Sequence, residues 1–190
     1  MVELYWLPLG AGGHFVRLNG RIYETIVALR DRRTRRDLYH SALIVTAPDG
    51  RYVIESAPIP DGNGPARGVV VEGAVGSRVL RPCRLFRYEV RCWRDGELPD
   101  AAEAVASPQC VADDPESARR VLELVRTVPA PVWGRDELRA GEMWNSNSVV
   151  AWLLVRAGVD LAAARLPRNG RAPGWEAGVA VARRSADTAA

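Results

Sequence analysis

The chain has 190 residues, 47% of them apolar and 26% charged, and at that length it can bury a core without disulfide or metal staples. No apolar run reaches the roughly 18 residues of a membrane span, and the start "MVELYWLPLGAGG" lacks the basic flank of a signal peptide, so a cytoplasmic location is expected. All 26 basic residues are arginine, which excludes lysine-based Schiff-base, general-base and P-loop chemistry, while 23 carboxylates hold the net charge to +3.

Taken in chain order, "VELYWLPL" (2–9) predicts a first strand, ended by Pro8 and a turn at "GAGG". His14 follows in a loop. "NGRIYETIVALRDRR" (19–33) carries apolar residues at helical spacing behind Asn19 and predicts a helix. The arginines of "RDRRTRR" (30–36) read as its solvated end; an anion or nucleic-acid surface would require them to join the arginines of 85–93 in one face. No nucleic-acid motif is present, and no nucleic-acid partner is expected. "LYHSALIV" (38–45) and "RYVIESAPI" (51–59) flank "TAPDG" as an antiparallel hairpin. "RGVVVEGAVG" (67–76) is a further strand. In "LFRYEVRCW" (85–93) apolar and charged residues alternate, which predicts a strand with one wet face.

"DDPESARRVLELVRTVP" (113–129) predicts a helix with an Asp cap and Pro115 in its first turn. "EMWNSNSVVAWLLVRAG" (142–158) opens polar and continues as an apolar helix ending at Gly158. "LPRNGRAPGWEAG" (166–178) reads as a loop, and a short helix with a frayed end closes the chain. The pattern is α+β, a mainly antiparallel sheet flanked by helices. It forms one domain over 1–183 with its core at 38–157 and a flexible tail at 184–190. Cys83, Cys92 and Cys110 lack metal-ligand spacing, so they are expected reduced and mostly buried, with no metal and no cofactor.

The helix start at 145–148 is the candidate for chemistry. Serine and asparagine there are favoured caps. The same position offers free backbone N–H groups and a partial positive charge, both suited to an oxyanion. A serine nucleophile, Ser146 or Ser148, needs a base. His40 opens a strand, a rigid place from which to aim a ring, and Glu55 ends the next one. The hairpin register decides whether these two meet. A two-residue Asp49–Gly50 turn sets Glu55 opposite Ile44, about 13 Å along the strand from His40. Pairing of Val45 with Tyr52 around a six-residue loop sets it opposite Ala42, diagonal to His40 and within reach.

A strand-borne histidine, a polar residue ending the next strand and a distant "N-[C/S]-x-[ST]" opening an apolar helix together resemble the circularly permuted papain-like fold. Its relatives include the NlpC-type cell-wall peptidases and the lecithin:retinol acyltransferase-like enzymes. "HSALIVTAPDGRYVIE" is similar to the hairpin of the permuted group. "WNSNSVVAWLL" is similar to its N-C-N-[ST]-F-V helix, and more so to an N-S-N-[ST]-F-V set of bacterial proteins. The resemblance covers residues 38–157. It implies His40 as catalytic histidine, Glu55 as the group orienting it and Ser146 in the place of the nucleophilic cysteine. A serine there cannot ionise as a thiol does and relies wholly on the histidine.

Around this triad, Asn145 is a cap or an oxyanion donor, and Asn147 faces a cleft or water. Trp144 and Trp175 are candidate pocket walls or plain core, and Arg171 a candidate carboxylate ligand or a solvated loop residue. Two functions follow. One is an acyl-transfer enzyme, hydrolase or acyltransferase, acting on a small-molecule, peptide or lipid substrate. The other is a catalytically inactive module that holds a peptide, lipid or glycan ligand.

Overall fold

The computed structural model describes residues 1–9, 32, 34–59, 68–98 and 100–187. The glycine turn, His14 and most of the 19–33 helix expected from sequence lie outside them. The described strands are β1 (Val2–Pro8), β2 (Asp37–Ala47), β3 (Gly50–Pro58), β4 (Val69–Ala74), β5 (Arg87–Arg94), β6 (Gln109–Ala112) and β7 (Gly170–Arg171). Six run in the order β4-β5-β3-β2-β1-β6, antiparallel at every pairing, and β7 joins the start of β2 in parallel. The helices are α1 (Pro115–Leu124), α2 (Ser146–Ala157) and α3 (Trp175–Asp187), so the last runs beyond the expected tail boundary at 183. No described helix is long and apolar enough to cross a membrane.

Strand periodicity divides the core in two. Val2, Leu4 and Trp6 of β1, with Tyr39, Leu43 and Val45 of β2, join Ile54, Tyr88 and Val90 on the face that packs against the helices. Leu7, Ala42, Ile44 and Val53 point to the opposite face and meet Leu98 in a smaller cluster. Each valine, leucine or isoleucine among them, once fully buried, contributes about 1.5–3 kcal/mol relative to exposure. The second face is drier than the alternation in 85–93 predicts. Leu98 and Ala104 pack over it, and Glu89, itself buried, is held by Arg91 at 2.8 Å.

The hairpin settles the register. Val45 pairs with Tyr52, as the diagonal arrangement requires, but Ala47 also pairs with Gly50, so the turn is the two residues Pro48–Asp49 and not a six-residue loop. The Tyr52 hydroxyl donates to Asp49 Oδ2 at 2.6 Å and braces it.

Helix α1 starts as its sequence dictates. Asp114 Oδ1 accepts from the Ser117 N–H at 2.7 Å, and Pro115 occupies the first turn, where no N–H is needed. Helix α2 ends at Gly158, whose φ of 80° is a left-handed cap conformation. The cysteines are less buried than expected. Cys83 sits in the exposed β4–β5 connection and Cys110 on edge strand β6, both exposed, and only Cys92 is partly covered.

Candidate functional site

Asn145 caps α2. Its Oδ1 accepts from the N–H groups of Asn147 and Ser148 at 2.9 and 3.4 Å, and the Ser148 hydroxyl accepts from the Asn145 N–H at 3.1 Å. This reciprocal box satisfies donors that a helix start leaves open. The same residues reach outward to a second segment. Asn145 Nδ2 donates to Pro173 O at 2.8 Å, and Ser148 Oγ donates to Gly174 O at 2.7 Å. Gly174 has φ of 84°, and a Cβ there would press on Asn145 Oδ1 and Met143 O.

Asn147 does not face water. It is buried and spans three partners. Nδ2 donates to Tyr39 O and to Pro173 O, each at 2.9 Å, and Oδ1 accepts from Ser41 Oγ at 2.9 Å. The start of α2 is thereby fastened to β2 on one side and to the 173–174 turn on the other.

That fastening fixes which face of β2 the helix meets. Ser41 presents its side chain to α2. His40, one residue earlier, leaves by the opposite face, where its cross-strand neighbour Leu7 belongs to the smaller cluster. Desolvation of the ring by burial pushes the His40 pKa down to about 4, against a weaker upward pull from the charge of Asp100. The imidazole is therefore neutral at neutral pH, and a weaker base than an ordinary histidine.

Glu55 follows Ile54, which pairs with Leu43, so the register carries it opposite Ala42 and onto the face of His40; on its other side it pairs with Arg91. The sequence-derived pair of histidine and glutamate thus shares a face, but Ser146 lies across the sheet from both. The Ser-His-Glu arrangement inferred from sequence is not assembled around Ser146, because strand alternation aims Ser41, not His40, at the helix. Ser146 itself is buried at the first turn of α2, and among the described residues its hydroxyl makes no hydrogen bond. Ser148 is committed to the capping box and to Gly174.

The remaining candidates all pack against or pair with other parts of the chain. Trp144 is buried, its backbone N–H donating to Arg135 O at 2.9 Å beside the Trp133 bridge, while its indole N–H finds no hydrogen-bond acceptor among the described residues. Trp175 packs on Trp6 with ring centroids 5.0 Å apart. Arg171 finds its carboxylate within the chain: Nη2 lies 3.4 Å from Glu142 Oε1, while Glu142 Oε2 accepts from the Gly174 N–H at 2.8 Å. Sequence reasoning missed Ser41, Glu142 and the Pro173–Gly174 turn. Glycine after proline was the available signal for the last of these. Comparison with protein-family models, with curated proteins and with solved structures gives no match.

Proposed function

We propose that this chain is a non-catalytic binding module on a permuted papain-like frame. In it, the corner that carries the thiol in the catalytic relatives serves as a clasp. The observation that carries this reading is the bond from Ser41 Oγ to Asn147 Oδ1. It gives the strand position facing α2 to a serine and turns the only described histidine to the other side of the sheet. A serine hydroxyl without a base within hydrogen-bond reach is a poor nucleophile. The order of hairpin, strands and helix supports the frame, and the N-S-N-S start of α2 supports its kinship with the N-S-N-[ST] set.

The test is labelling with a broad serine-reactive phosphonate, comparing the parent with Ser146→Ala and His40→Ala. The reading predicts no labelling at Ser146. Labelling lost in both variants would establish acyl transfer by that pair. Labelling lost only in Ser146→Ala would establish it with another base. Either result removes the binding-module reading.

A further inference from the structure

The connection between β4 and β5 breaks the surface rules that the rest of the described chain obeys. It is built from two short 3-10 turns, Arg78–Leu80 and Arg84–Phe86, around Pro82. Val79 is 84% exposed and Leu85 63%, with Leu80 and Phe86 at 40% each. Of the seven large exposed apolar side chains among the described residues, these four fall within eight positions. Scattered exposed apolar residues need no explanation; a cluster at one projection does.

The polar residues there have one sign. Residues 73–88 contain four arginines and no carboxylate. Arg78 is neutralised by Glu137 at 2.9 Å. Arg87 folds back to donate to Arg81 O and Pro82 O at 2.7 and 3.2 Å, holding the shape of the connection. Arg81 and Arg84 are exposed and make no ion pair among the described residues.

We propose that this projection docks the protein on an anionic lipid surface, with Val79, Leu80, Leu85 and Phe86 entering the interface and Arg81 and Arg84 held at the headgroups. Charge complementarity selects an anionic partner. The outward-pointing side chains select a deformable one, because a protein partner would need a matching cavity for each protruding residue. Arginine suits the boundary, its stem lying along apolar surface while the guanidinium stays with phosphate. The inference gives the proposed binding module its partner and rests on that reading only to this extent. Vesicle binding and phosphonate labelling are separate readouts, so either can fail alone.

The experiment is sedimentation of the full chain with vesicles of phosphatidylcholine, alone or mixed with phosphatidylglycerol. Binding is expected only to the mixed vesicles, and it should weaken with salt. Arg81→Gln with Arg84→Gln should weaken it by about tenfold or more, as expected for two charges at such a surface. Val79→Ser with Leu85→Ser should weaken it by about as much, with Leu80→Ser and Phe86→Ser as a second apolar pair if the first fails to fold. No binding to mixed vesicles at low salt would overturn the proposal. So would binding that either set of variants leaves unchanged. Binding to poly-glutamate that equals vesicle binding and ignores the apolar variants would also overturn it, in favour of an acidic protein partner.

Discussion

Ser41 and Asn147, 106 residues apart in the chain, share a buried hydrogen bond of 2.9 Å that fixes which side of β2 meets the start of α2. The consequences of that contact can be measured.

Asn147 should be the most sensitive position of the corner. Truncation to alanine removes three hydrogen bonds and leaves the buried carbonyl of Tyr39 without this donor. Asn147→Ala is expected to cost roughly 2–4 kcal/mol of unfolding free energy, measured by denaturant titration. Asn147→Asp should cost more, because it sets a carboxylate oxygen against the carbonyls of Tyr39 and Pro173. Ser146→Ala should change stability by less than about 1 kcal/mol, since no hydrogen bond is lost.

His40 should titrate near 4 by proton NMR, well below the 6.5 of an unperturbed histidine. The unfolded chain then binds more protons than the folded chain between these values. The contribution of His40 is whole above about 6.5 and is lost as pH falls toward about 4. Stability of the parent minus that of His40→Gln should therefore decline with acidification across that window. A titration at or above 6.5 would show that the ring is not desolvated on the second face.

Gly178 lies where α3 crosses α2, and a Cβ there would press into Ser148 O and within 2.9 Å of Ala151 Cβ. Glycine to alanine inside an exposed helix stabilises by up to about 1 kcal/mol. Here the sign should reverse, with Gly178→Ala destabilising by about 1–3 kcal/mol through overpacking. A gain in melting temperature would mean that the two helices are not this close.

Much of the architecture is legible in the sequence because local rules agree with the global result. Asp114-Pro115 starts α1, Asn145 and Gly158 bracket α2, and the β2–β3 hairpin follows from its flanking β-rich runs, although its turn, Pro48–Asp49, is neither of the two expected. Two strands escape. β6 (Gln109–Ala112) is four residues long without useful alternation, and β7 is two residues paired far from its own position. Their existence depends on partners, not on propensity. The facing of β2 escapes for a deeper reason. Tyr39, Leu43 and Val45 bury on one side while Ala42 and Ile44 bury on the other. "LYHSALIV" is thus nearly continuous in hydrophobicity, and nothing local states which parity faces the helices. His40 and Ser41 are equally plausible neighbours of α2 until Asn147 is placed.

The most direct measurement is a pair of double-mutant cycles on unfolding free energy, one for Ser41→Ala with Asn147→Ala and one for His40→Ala with Ser146→Ala. The clasp predicts a coupling of about 1 kcal/mol or more in the first and a value within about 0.5 kcal/mol of zero in the second. Strong coupling between His40 and Ser146, with none between Ser41 and Asn147, would put the imidazole at the helix start and contradict the account.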